Sequence, residues 1–123
     1  MKNTFIVLGS LLAALAVMLG AFAAHGLREY LSQIGRTDTF ETAVRYHFYH
    51  AFGLLLLGIL QNQFPAKNLS LPGYLLLAGV VIFSGSLYIL STANLRWMGA
   101  VAPIGGTLLI AGWLVLGWQF LKN

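Results

Sequence analysis

The sequence predicts an all-α integral membrane protein built as a four-helix bundle, and two observations carry this. Of 123 residues, 59% are hydrophobic and only 8% charged, against the roughly half apolar and quarter charged of soluble domains. The few charges also divide the chain into four uncharged segments, residues 3–27, 46–66, 68–95 and 97–121. A helix rising 1.5 Å per residue needs about 20 residues to cross a hydrocarbon layer of about 30 Å, so each segment fits one crossing and none fits two. None shows the strict alternation of barrel strands, and backbone groups in lipid must pair internally, which leaves helices. We place the spans near 4–25, 44–64, 72–93 and 98–120 in one domain covering 1–123.

The first span begins after Lys2 and ends near Ala21-Phe22-Ala23, a pattern like a secretory cleavage site. Its apolar run exceeds the about 7–15 residues of a signal core, so it is read as retained. Along it Gly9, Ala13, Ala16, Gly20 and Ala24 recur at steps of four and three, giving one small-residue face. In lipid, helix association depends on close backbone approach, which such faces permit. The stripe is expected to pack inside this chain rather than form a homodimer seam.

The first connection, 28–42, is polar and holds all three acidic residues, Glu29, Asp38 and Glu41. Arg28 to Ile34 reads as a brief amphipathic turn closed by Gly35. Asp38 with Glu41 resembles a capping pair for the second span, on which Glu41 and Arg45 stand at i, i+4. Pro65 to Pro72 makes a Pro-bounded turn and Asn94 to Trp97 a tight one. In the third span Ser84, Tyr88 and Ser91, with Thr92 alongside, form a polar stripe. Its hydroxyls should bond a neighbouring helix, bond the carbonyl four residues back, or line a wet cavity. Pro103, followed by Gly105 and Gly106, predicts a kink early in the fourth span. Trp113, Trp118 and Phe120, and at the other level Tyr46, Tyr49 and Trp97, read as interfacial belts.

Orientation is nearly balanced, with Lys2, Lys67 and Lys122 on one side and Arg28, Arg36, Arg45 and Arg96 on the other. The positive-inside rule therefore tips only slightly toward a cytoplasmic Arg side, and insertion both ways is compatible with it. The net charge of +4 is scattered singly and makes no basic stripe for nucleic acid.

Candidate chemistry lies at one membrane face. His25 closes the first span, His47 and His50 open the second, and the connections bring Arg28, Glu29, Glu41, Arg45, Tyr46, Asn94 and Arg96 to the same level. Three imidazoles can ligate zinc, copper or haem iron when they converge, but no carboxylate completes a Glu-x-x-His pattern here. The reading is that the rings bond between helices or sit at the headgroup level, and no metal or cofactor is expected. Cysteine is absent, no carboxylate lies inside a span, and there is no phosphate loop, nucleophile elbow or zinc-protease helix. The chain thus reads as no enzyme and no carboxylate-driven exporter.

Four motifs in order, GAFAAHGL (Gly20 to Leu27), TAVRYHFYHAFGLL (Thr42 to Leu55), FSGSLYIL (Phe83 to Leu90) and APIGG (Ala102 to Gly106) with the later Gly112-Trp113, resemble the small bacterial inner-membrane proteins grouped as domain of unknown function 423, which have a small eukaryotic transmembrane relative. Ala23 departs from that pattern, which usually has glycine. The resemblance implies a multi-pass protein of the bacterial inner (plasma) membrane. It marks His25, Tyr46, His47, His50, Ser86, Tyr88, Pro103 and Gly105 as signature positions and supplies no activity. The leading expectation is a noncatalytic structural or interaction protein, whose partners are membrane lipid, a membrane protein or another copy of itself. A small channel or carrier using the third-span stripe comes second, and metal or haem binding by the histidines third.

Overall fold

The four apolar segments fold as four long helices joined by one short one. The computed structural model describes residues 3–122, so Lys2, counted above for orientation, lies outside the described residues. The elements are α1 (Thr4–Ala24), α2 (Arg28–Gln33), α3 (Thr37–Gln63), α4 (Ser70–Ala93) and α5 (Met98–Leu121). Helices α1, α3, α4 and α5 are each long and apolar enough to cross a membrane. Large side chains such as Leu11, Val17, Phe22, Val81, Ile110 and Leu114 face outward. That is the surface a bilayer covers, because lipid solvates apolar side chains as well as a protein core does.

Helix α1 packs chiefly on α3, α3 also on α4, and α4 on α5. The small stripe of α1 makes the first contact: Ala16 is fully buried, and a Cβ on Gly9 would stand 2.8 Å from the Ala51 carbonyl oxygen of α3. Gly20 faces Val44 at ordinary contact distance, Ala13 is half-buried and Ala24 exposed, so the stripe engages most closely in its first three turns. The α4–α5 seam is closer still. A Cβ on Gly105 would meet Phe83 Cα at 2.7 Å and the Gly79 oxygen at 2.8 Å, which means that the two backbones touch. Gly106, beside it, leaves ordinary space to the Phe83 ring. A core of Phe5, Leu54, Leu57, Leu69, Leu76, Val80, Leu109 and Leu116 fills the half of the bundle toward the α3–α4 turn. That turn is fastened by Gln61, which donates to the Lys67 carbonyl and accepts from the Leu69 N–H, and by Lys67, which donates to the Gln119 carbonyl in the last turn of α5.

Two local expectations shift, both at the start of α3. Helix α3 starts at Thr37, well before 44, and puts its first two turns outside the apolar span. Asp38 lies inside its first turn and makes no side-chain cap, so it acts on the helix dipole rather than as half of a capping pair. Pro103 lies inside α5, which continues through it, and Thr107 donates to the Pro103 carbonyl. Gly35 (φ +69°) and Asn94 (φ 56°) take the left-handed conformation just past the ends of α2 and α4.

Candidate functional site

The polar residues at the α2 end fall into separate groups. The 28–42 connection is bolted across the bundle: Leu31 and Phe40 are buried, the Tyr30 hydroxyl donates to the Thr92 carbonyl, and Arg36 Nε donates to Asn94 Oδ1 at 3.3 Å. His25, Arg28 and Glu29 with Ser32 line an open hollow of about 410 Å³. Glu41 and Arg45 line another with Gly20, Ala23 and Ala24, and Arg45 donates to Thr42 Oγ1 at 3.1 Å. Arg96 is exposed between α4 and α5.

His47 and His50 lie deeper and turn to different helices. His50 is 4% exposed. Its Nδ1 is 2.7 Å from the Tyr46 carbonyl, and its Nε2 accepts from Trp113 Nε1 at 3.0 Å. A carbonyl only accepts and an indole N–H only donates, so the proton of His50 is on Nδ1 and both ring nitrogens are engaged. Tyr46, 39% exposed, stacks on the same imidazole. The ring thereby ties α3 to α5. Gly53 makes room for the bridge, since a Cβ there would stand 3.1 Å from the Trp113 ring. Trp113, itself 38% exposed, is therefore an interhelical partner as well as a ring on the outer surface, while Trp97 and Trp118 are more exposed and make no such bond. The sequence held a signal for this, a glycine one turn after His50, but spacing alone does not say which of the tryptophans fills it.

His47 is 3% exposed, and its Nδ1 is 2.8 Å from the Tyr88 hydroxyl of α4. Its Nε2 is buried without a hydrogen-bond partner. The Tyr88 hydroxyl has no other bond among the described residues, so if it accepted here both its own proton and His47 Nε2 would be orphaned. With Tyr88 donating, only one group is left, an Nε2–H.

The stripe hydroxyls around Tyr88 are engaged. Ser84 Oγ donates across to the Ala43 carbonyl of α3 at 2.8 Å, while Ser86, Ser91 and Thr92 donate to carbonyls of their own helix, those of Phe83, Leu87 and Tyr88. Nor do the histidines converge: among the described residues no three His, Asp or Glu side chains stand close enough to hold a metal ion. With both nitrogens of His50 already bonded, the set does not fit a metal or haem centre.

Fold and site together define an all-α, multi-pass membrane protein in which His47, His50 and Ser84 tie helices together while Ser86, Ser91 and Thr92 bond within α4. Comparison with known proteins places it further. The family model described as "Protein of unknown function (DUF423)" matches residues 19–106. The chain is 47% identical over 120 residues to a UPF0382 membrane protein of Staphylococcus epidermidis, covering 98% of this chain and 97% of that protein. It is 42% identical over 115 residues to the UPF0382 membrane protein YwdK of Bacillus subtilis, covering 93% of each. The chain belongs to this family of membrane proteins. No solved structure matches it.

Proposed function

We propose that this is a noncatalytic interaction protein of the bacterial plasma membrane, whose polar edge at the α2 end is its contact surface. The observation that supports the reading is a division of labour among polar groups. His50, Ser84, Tyr88 and Trp113 are used between helices, whereas His25, Arg28, Glu29, Arg45 and Arg96 remain exposed at one edge. Exposed groups of both charges beside an open hollow suit recognition of a neighbouring membrane protein, lipid headgroups or a second copy. They make no paired nucleophile and base within reach of each other, as a catalytic site requires. The carrier reading is weaker, because Ser86, Ser91 and Thr92 are bonded to their own helix and offer no continuous polar path.

The test is photo-crosslinking in intact membranes from a reactive residue placed at Ser32, in the hollow, with Gly117 on the exposed face of α5 as control. A discrete adduct from Ser32 and none from Gly117 is expected, and it should weaken when His25, Arg28, Arg45 and Arg96 are replaced together by alanine. Equal labelling from the two positions would sink the reading.

A further inference from the structure

The hollow beside Arg45 sets two opposite charges at different depths. Gly20 of α1 faces Val44 of α3, so Arg45 branches from α3 about four residues, or ~6 Å, inside the end of α1 at Ala24. Glu41 stands one turn nearer the α2 end, and both charged side chains line the same hollow of about 220 Å³. Its α1 wall is made of Gly20, Ala23 and Ala24, small residues that leave room beside the two charges. The i, i+4 spacing would allow Glu41 and Arg45 to pair, but Arg45 Nη2 donates to Thr42 Oγ1 at 3.1 Å instead. That bond bends the guanidinium back toward the α2 end and leaves the rest of its donor fork free. The other charges of this edge turn elsewhere: Asp38 lines a hollow with Leu87 and Leu90 of α4, Arg28 and Glu29 the one beside His25, and Arg36 bonds Asn94.

A guanidinium and a carboxylate that share an open space without pairing are matched by one ligand that carries both charges. Depth fixes their order. The cation lies on the hydrocarbon side and the anion outside it, so the occupant has its negative group next to the hydrocarbon and its positive group further out. A phosphodiester meets the fork of an arginine through its oxygens, and a primary ammonium beyond it donates to a carboxylate. An aminophospholipid presents its groups in this sequence: acyl chains, phosphate, ammonium. Below Arg45 the exposed face of α3 continues with Tyr49, Phe52 and Leu56, an apolar surface on which the chains of such a lipid can lie. A second copy fits less well. A two-fold contact through this face would set Arg45 at the level of its own copy or, with the copy inverted, against the apolar half of α3.

We propose that the hollow between α1 and α3 binds the headgroup of an aminophospholipid, with Arg45 holding the phosphate and Glu41 the primary ammonium outside it. The inference rests on the reading of the α2 end as a contact surface and names lipid as the partner at this corner.

The experiment is native mass spectrometry of the full chain, purified in mild detergent, delipidated, and mixed with equal amounts of phosphatidylethanolamine and phosphatidylglycerol of the same acyl chains. The wild type is expected to retain phosphatidylethanolamine about fivefold better, the effect of one exposed charge pair. Glu41→Gln should erase that preference by raising retention of phosphatidylglycerol, whose phosphate then meets no carboxylate. Arg45→Gln should lower retention of both lipids about fivefold. Both positions are exposed, so both variants should keep wild-type helicity and elution volume. Phosphatidylglycerol moving in opposite directions in the two is a result that a merely structural role would not give. Wild-type lipid selectivity in both variants, or a wild type that prefers phosphatidylglycerol, would overturn the inference. So would a dimer whose signal, in place of lipid retention, depends on Glu41 and Arg45. In each of these cases a discrete adduct from Ser32 would still uphold the contact-surface reading, so the two fail separately.

Discussion

Two histidines three residues apart on α3 meet opposite surroundings. On the side facing α5, His50 is enclosed by Tyr46, Trp113 and the space left by Gly53, and each ring nitrogen has a partner. On the side facing α1 and α4, His47 has one partner, Tyr88, and beside it a groove between those helices that is open at Gly85. The difference follows from packing distance. Glycines bring the backbones of α4 and α5 into contact and carry Trp113 to α3. No such row draws α1 to α4, so the second gap stays open. In a membrane the same residue type thus becomes a structural bridge where helices close, and keeps an unpaired nitrogen where they do not.

The largest expected effect comes from prising open the closed side. Gly105→Val would drive side-chain carbons into the Phe83 backbone, where no rotamer change relieves the clash. It should cost more than the ~3 kcal/mol usual for overpacking and abolish the monodisperse peak in detergent. The matching change on the open side, Gly85→Val, should leave that peak in place; if both variants behaved alike, the contrast between the two sides would be wrong.

Removing the bridge comes next. His50→Leu removes the acceptor of the part-buried Trp113 N–H, and unfolding in detergent should show a loss of about 1 kcal/mol. A cycle with Trp113→Phe sharpens this, since the two changes should couple by at least ~0.5 kcal/mol through their shared bond. Additive losses would mean that the 3.0 Å contact contributes nothing.

On the open side Tyr88→Phe removes one neutral hydrogen bond, for about 1 kcal/mol, and frees His47 Nδ1. Its imidazole nitrogen-15 spectrum should change while that of His50 does not. The smallest effect is expected at Gly85→Ala, which fills open space and replaces a helical glycine, for a gain of about 0.5–1 kcal/mol. A loss there would show that the groove wall is tighter than the structure has it.

Much of this protein is legible in its sequence. The charge spacing marked the helices to within a few residues, except at α3, whose polar first turns hid its start from a reading tuned to apolar runs. Gly9 and Ala16 announced a packing face, and Gly35 and Asn94 marked turns. The bond from Trp113 to His50 is not legible in the sequence, because aromatic side chains near a span end look alike there whether or not one edge meets a neighbouring imidazole. The polar edge looked like one cluster because connectivity fixes the level of a residue but not its direction around the helix axis.

By itself the sequence determined an all-α membrane protein with four crossings, because bilayer thickness and the demand for internal backbone pairing act on each segment alone. Tertiary structure alone decided that His50 would find Trp113, that Ser84 would reach the Ala43 carbonyl, and that His47 would keep a free nitrogen beside a groove. Those outcomes depend on the rotation and separation of whole helices, which are set jointly by side chains far apart in the chain and cannot be read from the spacing of any one of them.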